Sequence, residues 1–146
     1  MAVEILLSDQ EEAEVAAFLH ERIRNFNTEH SPHHRAARAP GAVRPLRLLV
    51  KDAAGQAVGG LTGQTFWDWL EIEYFYLPED LRGQGLGADL LRRAEDAARA
   101  RGARRCFLTT FEFQARRFYM SQGYRVTGML EGYPPGSAYY WMTKEL

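Results

Sequence analysis

A strand, a glycine-rich turn and a long amphipathic helix follow one another in the middle of the chain, and this succession restricts the possible folds. The apolar and aromatic segment Leu70–Leu77 is typical of a strand. Glycines stand at positions 83, 85 and 87 shortly after it. From Leu86 to Arg101 the apolar side chains recur at helical spacing and form one stripe. We therefore predict a strand–turn–helix unit in which the helix packs on a sheet.

Periodicity and turn residues predict the elements on either side of this unit. We predict further strands at 3–7, 44–50, 57–66, 104–110, 124–130 and 137–146, and a short helix at 113–122. Ser8-Asp9-Gln10-Glu11 matches a capping box, so a helix should follow it at once. Residues 27–44 have no firm period and are predicted to form a loop or a short irregular helix. The order β-α-loop-β-β-β-α-β-α-β-β predicts one α/β domain with a mixed sheet over residues 1–146.

Composition and charge argue against several classes of protein. The 146 residues carry a formal net charge of −1, so no global field attracts nucleic acid or an anionic membrane. No segment approaches the roughly 18 consecutive apolar residues of a membrane span, and the apolar start lacks the basic region of a signal peptide. The single cysteine, Cys106, cannot form an internal disulfide, so we expect a cytoplasmic protein. We expect no metal site in the histidine-containing segment 30–34.

The glycines of the turn are suited to binding an anion. Without a Cβ, successive backbone N–H groups can converge on one point, and the start of the helix adds a partial positive charge. Arg82 can add a charge-assisted contact. The same glycines could also serve a purely structural turn. A P-loop is excluded because the helix opens with Leu86-Gly87-Ala88, and a dinucleotide fingerprint is excluded because the spacing is G-x-G-x-G.

Two motifs resemble those of the GNAT superfamily of N-acetyltransferases. Arg82-x-x-Gly85-x-Gly87 matches the R/Q-x-x-G-x-G/A signature of this family. The segment from Ala115 to Tyr124 resembles the second signature, A-x-x-F-Y-x-x-x-G-F/Y. The predicted order of elements is also that of the family. The resemblance therefore extends over nearly the whole chain and implies a GNAT-like acyl-CoA N-acyltransferase fold.

The resemblance implies acetyl-CoA as the acyl donor, with no metal. The pyrophosphate would lie on the turn, and the strand before it would separate from its parallel neighbour near Leu108 and pair with the pantetheine arm. Many relatives carry Asn where this chain has Glu112, and the nearby Gln114, Thr109 or Thr110 could replace it. The residues predicted to bind the cofactor are Phe75, Tyr76, Leu77, Arg82, Gly83, Gln84, Gly85, Leu86, Gly87 and Gln114.

Three residues are predicted to take part in catalysis. Tyr119 occupies the position at which the resemblance implies a general acid, and a phenol pKa of ~10 lies close enough to a thiol pKa of ~8.5 for it to protonate the leaving thiolate. Glu71 and Glu73 are two apart in an apolar strand, so we predict that they share one face and border a cleft, where one of them is the base. The alternatives are a core aromatic at Tyr119 and solvent-facing positions for both glutamates.

The predicted reaction is direct transfer of an acetyl group from the CoA thioester to a primary amine of a small molecule or a protein. The acidic pair Glu71 and Glu73 indicates a cationic acceptor. The alternative is a non-catalytic acyl-CoA-binding sensor or interaction module. The expected partners are thus a CoA thioester and an amine, without nucleic acid or membrane. Many such folds form homodimers, and the sequence does not decide between a monomer and a homodimer.

Overall fold

The computed structural model describes all 146 residues, Met1–Leu146. The chain divides into two compact units, Met1–Ala39 and Pro40–Leu146. The first unit is helical, and the second contains the sheet, the glycine turn and both signature motifs. None of the helices combines the length and the apolar character that crossing a bilayer requires.

The first unit differs from the sequence prediction at its start. Residues 1–12 form no helix or strand, so the predicted strand at 3–7 is wrong. A strand exists only by pairing its backbone groups with a neighbour, and residues 3–7 belong to no sheet. The predicted capping box is also wrong, because helix α1 spans Ala13–His30 and its N-cap residue Glu12 makes no side-chain capping bond. The Ser8 hydroxyl instead accepts a hydrogen bond from the Gln10 N–H at 3.1 Å.

A second helix follows within the segment that had no firm period. Helix α2 spans Pro32–Ala37. Its N-cap, Ser31, accepts a hydrogen bond from the His34 N–H at 3.2 Å, and Pro32 stands at the first helical position, where its missing N–H is not needed. The apolar side chains of α1 that recur at helical spacing are all about half exposed: Val15, Phe18, Leu19, Ile23 and Phe26.

The second unit is built on one mixed sheet. Its strands are β1 (Arg44–Lys51), β2 (Ala57–Phe66), β3 (Trp69–Tyr76), β4 (Arg105–Phe111), β5 (Arg125–Glu131) and β6 (Ala138–Glu145). They lie in the order β1-β2-β3-β4-β6-β5. The pair β3–β4 is parallel, and the other four neighbouring pairs are antiparallel. The predicted mixed sheet and the predicted order of elements from β1 onward are thereby confirmed.

Two helices of the second unit pack against the same face of this sheet. Helix α3 spans Leu86–Ala100, and helix α4 spans Arg116–Ser121, which is shorter than the predicted 113–122. Gly87 of α3 lies against the ring of Phe118 of α4, so the two helices adjoin. The core between these helices and the sheet includes Leu61, Leu70, Ile72, Leu91, Ala94, Ala98, Cys106, Leu108, Tyr119 and Met142. Within the second unit the other face of the sheet is therefore left without a helix.

Candidate active site

The parallel strands β3 and β4 pair over a short distance and then separate. Their register runs from Trp69↔Arg105 to Glu71↔Phe107, and the remainder of each strand does not pair with the other. A cleft of about 840 Å³ opens between residues 72–77 and 108–110. Beyond Glu71, β3 pairs only with β2, so its backbone groups on the side of the cleft have no strand partner. Such groups can bind an extended ligand as a further strand would.

A β-bulge in β3 determines which side chains reach this cleft. Ile72 pairs with Gly63 and Tyr74 with Thr62, so Glu73 is the extra residue. A Cβ on Gly63 would lie 2.3 Å from the Glu71 carbonyl oxygen, so only glycine permits this close approach. The bulge interrupts the alternation of side chains and brings Phe75 to the rings of α4, which include Phe118 at 6.0 Å between centroids. Because the bulge falls at Glu73, a spacing of two residues does not by itself place the Glu71 and Glu73 side chains on one face of the sheet.

The glycine turn forms the end of the cleft at the start of α3. Gly83 and Gly85 have φ of +72° and +82°, a conformation that favours glycine, and Gly85 is the N-cap of α3. The first hydrogen bond of this helix runs from the Asp89 N–H to the Gly85 carbonyl oxygen at 3.0 Å. The N–H groups of residues 86–88 thus have no acceptor within the helix. Together with the positive end of the helix dipole, these N–H groups are suited to binding an anion.

Arg82 connects this turn to the end of β3. Its Nε donates a hydrogen bond to the Leu77 carbonyl at 2.7 Å, and its guanidinium carbon lies 5.8 Å from the centre of the Tyr76 ring. The side chain therefore fixes the loop between strand and turn. Because a guanidinium has five N–H donors, its remaining donors stay available to a phosphate at the cleft.

Most of the residues predicted to bind the cofactor line the cleft. They are Phe75, Tyr76, Leu77, Arg82, Gly83, Gly85, Gly87 and Gln114. The side chains of Gln84 and Leu86 do not line it, and the Gln84 amide donates instead to the Asp80 carbonyl at 2.8 Å. These two residues can contribute only their backbone N–H groups to the site.

Tyr119 lies at the bottom of the cleft on the side of the helices. It belongs to α4, is 6% exposed and lines the cleft. Its ring lies 6.4 Å from that of Phe75 and 5.8 Å from that of Tyr124. Burial, with a smaller contribution from Cys106, raises the pKa of Tyr119 to about 12. The hydroxyl therefore keeps its proton throughout the physiological range of pH and is able to donate a hydrogen bond.

Comparison with known proteins identifies the family. A model of the acetyltransferase (GNAT) family matches residues 6–124. The chain belongs to the GNAT acetyltransferase family. It is thus an N-acetyltransferase, and the acyl-CoA N-acyltransferase fold implied by the two motifs is confirmed.

Individual relatives agree with this membership in the GNAT family. A blasticidin-S acetyltransferase of Streptomyces morookaense is 38% identical over 133 residues, which are 86% of this chain and 96% of the relative. The crystal structure of an acetyltransferase from Bacillus cereus ATCC 14579 is 26% identical, with a TM-score of 0.83 over 97% of this chain and 98% of that chain. An aminoglycoside 6′-N-acetyltransferase complexed with coenzyme A is 14% identical and has the same fold, with a TM-score of 0.61 over 93% of this chain and 95% of that chain.

The two glutamates of this GNAT enzyme occupy different environments. Glu73, at the bulge, is exposed and lines the cleft. Glu71 is half-buried, does not line the cleft and accepts a hydrogen bond from the Gln64 amide at 3.1 Å. It stands at the last β3–β4 pair, opposite Phe107, where the strands begin to separate. The sequence could not distinguish the two carboxylates, because the difference arises from the bulge.

Glu112 and Gln114, in the segment after β4, have different environments. The Glu112 carboxylate forms an ion pair with Arg116 at 3.0 Å, and hydrogen bonds from Tyr140 and then Arg116 lower its pKa. This carboxylate does not line the cleft. Gln114 does, and its carbonyl oxygen accepts a hydrogen bond from the Phe111 N–H at 2.9 Å. The amide NH₂ of Gln114 is thereby directed as a donor for a ligand.

Several residues that line the cleft were absent from the sequence prediction. They are Ile72, Tyr74, Ala88, Phe113, Ala115, Phe118 and Gln122. Ala115, Phe118 and Gln122 lie within the second signature, which was therefore an available signal. Phe113 had no such signal, because a phenylalanine within a predicted helix is ordinarily a core residue.

Proposed function

We propose that this GNAT enzyme transfers an acetyl group from acetyl-CoA directly to a primary amine. The observation that carries the proposal is a single cleft between separated parallel strands, with an anion site at the glycine turn and a buried tyrosine at its floor. A CoA thioester has a pyrophosphate for the turn and an extended amide-bearing arm for the unpaired edge of β3. The relative complexed with coenzyme A has the same fold, which supports this assignment.

In the proposed reaction, the acceptor loses a proton before it attacks. Glu73 takes this proton from the ammonium group and passes it to solvent, since its carboxylate borders the cleft and is exposed. The amine nitrogen then attacks the thioester carbon, the C–N bond forms and the C–S bond breaks. Tyr119 donates a hydrogen bond to the sulfur as negative charge develops on it. The second proton of the amine finally reaches the thiolate, so that the products are an amide and CoA thiol.

Acetyl-CoA should stabilise the folded protein. Free ligand at about 100 times Kd contributes roughly 2.7 kcal/mol, because it binds the native state alone. For a chain of this size that corresponds to an increase in Tm of roughly 5–10 °C. Differential scanning fluorimetry with acetyl-CoA, CoA and pantetheine measures the effect. Equal Tm values with and without acetyl-CoA would contradict the proposed donor.

Replacing the two glutamates separately should distinguish their roles. We expect Glu73→Gln to lower kcat for an amine acceptor about 10²-fold at pH 7, the range of a lost general base. The deficit should shrink as the pH approaches the amine pKa of ~10, where solvent has already removed the proton. Glu71→Gln should instead raise KM for the amine with little change in kcat, because it removes a negative charge beside the cleft. Steady-state kinetics with CoA-thiol detection compares them; a larger loss of kcat in Glu71→Gln would reverse the assignment.

A further inference from the structure

The open face of the sheet borders the cleft in the second unit. Along β4, Cys106, Leu108 and Thr110 are buried on the side of the helices. Side chains alternate along a strand, so Phe107, Thr109 and Phe111 lie on the opposite face. Thr109 lines the cleft from this face, and Tyr119 lines it from the side of the helices.

Aromatic side chains form much of the open face beside the cleft. Trp141 stands opposite Thr109 in the β4–β6 register, and Tyr139 stands opposite Phe111. Directly opposed residues of paired strands share a face. The Phe111 and Tyr139 ring centroids lie 4.7 Å apart, and those of Tyr139 and Trp141 lie 5.1 Å apart. The rings therefore form a continuous wall along this part of the sheet.

Three of the aromatic rings are stacked nearly parallel, and the outermost borders the cleft. Phe111 stacks on Phe113 with centroids 5.3 Å apart and an interplanar angle of 12°. On its other side Phe111 stacks on Tyr133, at 6.0 Å and 17°. Phe113 is 69% exposed, although it lines the cleft and is held by this stack. An exposed ring with a fixed plane offers a stacking surface that core packing does not require.

Carboxylates complement these rings in the second unit. Glu71 is opposite Phe107 in the β3–β4 register and so lies on the open face, and Glu73 lines the cleft. Negative charge therefore stands where the strands separate, and aromatic surface stands farther along β4. A molecule with a cationic amine at one end and a flat ring at the other matches this arrangement.

We propose that the acceptor is a primary amine that also carries a planar aromatic or heteroaromatic ring, which stacks on Phe113. This inference rests on the proposed acetyl transfer and adds the chemical class of its acceptor. The ring of the acceptor extends the series Tyr133, Phe111 and Phe113, while its ammonium group lies near Glu71 and Glu73. The adenine of CoA is also planar, so the experiment must distinguish the two sources of a ring.

The test compares two acceptors that differ only in their ring. Both 2-phenylethylamine and 2-cyclohexylethylamine carry the same aminoethyl chain, but only the first has a flat π-system. With saturating acetyl-CoA, kcat/KM should favour the phenyl compound about 2- to 12-fold, the range of a single aromatic pair. Extending the panel to bicyclic heteroaromatic amines should increase the preference. Equal kcat/KM for the two compounds would overturn the inference and leave the acetyl transfer itself intact.

Variants of Phe113 test whether the ring of the acceptor stacks on this residue. Phe113→Leu should abolish the preference and leave KM for acetyl-CoA unchanged, while Phe113→Tyr should retain it. Phe66→Leu, at the last residue of β2 and outside the cleft, is the matched control and should behave like the wild type. If Phe113→Leu raises KM for acetyl-CoA and keeps the preference between amines, the ring stacks on adenine and the inference is wrong.

A binding measurement covers the case in which neither amine is acetylated. Saturation-transfer NMR on the CoA-loaded protein should then show contact with the phenyl protons and weaker contact with the cyclohexyl protons. Absence of that difference would overturn the inference. A failure of acetyl-CoA to raise Tm would instead contradict the proposed function, so the two failures are distinguishable.

Discussion

Replacing Tyr119 by phenylalanine should lower kcat about 10²-fold, with little effect on KM for acetyl-CoA or on folding. The expected loss is that of a hydrogen-bond donor to developing charge. Phenylalanine retains the ring contacts with Phe75 and Tyr124, so the packing of α4 should persist. Steady-state kinetics and circular dichroism on the purified variant check both parts. An unchanged kcat would show that Tyr119 is a core aromatic only.

Tyr124→Phe is the matched control for this substitution. Tyr124 is 3% exposed, its ring adjoins that of Tyr119, and it does not line the cleft. Its hydroxyl donates a hydrogen bond to the Glu95 carboxylate at 3.1 Å. Removing that donor should lower the free energy of unfolding by roughly 1–3 kcal/mol, because a buried acceptor loses a partner. The kcat should stay near that of the wild type.

The pKa of Tyr119 refines its role and predicts the pH dependence. At about 12, it lies above that of a free thiol, so we expect complete proton transfer from the phenol to the thiolate to be unfavourable. We therefore expect Tyr119 to act as a hydrogen-bond donor, because burial makes its phenol less acidic than the unperturbed phenol on which the sequence prediction was based. Because a raised pKa retains the active, protonated form, the kcat profile should show no loss from this group between pH 7 and about pH 10.5.

The sheet of the second unit and the glycine turn were predictable because local patterns and global fold agree there. The segment Leu70–Leu77, the glycines at 83, 85 and 87 and the stripe of α3 each point to the same strand–turn–helix unit. The start of the chain was not predictable in this way. Residues 3–7 have a strand-like composition, but a strand also needs a neighbour, which composition does not specify.

The position of a site residue was predictable where a sequence motif fixes the local backbone. It was not predictable where the position depends on strand pairing or on contacts between distant residues. The two signatures placed the turn and Tyr119 at one cleft. The separation of Glu71 from Glu73 depends on the bulge, whose only signal was Gly63 inside β2, since a glycine within a strand often marks a bulge. The stack at Phe113 depends on Tyr133, twenty residues along the chain and brought near by the β5–β6 turn. No local pattern predicts such a contact.

Replacing Gly85 by alanine should weaken acetyl-CoA binding at least about 10-fold. Gly85 is the N-cap of α3 and has φ of +82°, a conformation that costs an L-residue about 1–2 kcal/mol. Its Cβ would meet no protein atom within 4 Å, and Gly85 lines the cleft, so the added methyl group would project into space available to the ligand. Each charge-assisted hydrogen bond to the pyrophosphate contributes about 1.5–3 kcal/mol, so the loss of one lowers the affinity roughly 10- to 150-fold.

Gly55→Ala separates strain from loss of the binding site. Gly55, in the turn between β1 and β2, also has φ of +82° and would also carry a Cβ that meets no atom within 4 Å. Both substitutions should therefore lower Tm to a similar degree, because each forces alanine into the left-handed region. Only Gly85→Ala should raise the Kd for acetyl-CoA and for CoA in isothermal titration calorimetry. An equal Kd in the two variants would mean that the helix amides at residues 86–88 do not hold the pyrophosphate, and the anion site would then have to lie elsewhere in the cleft.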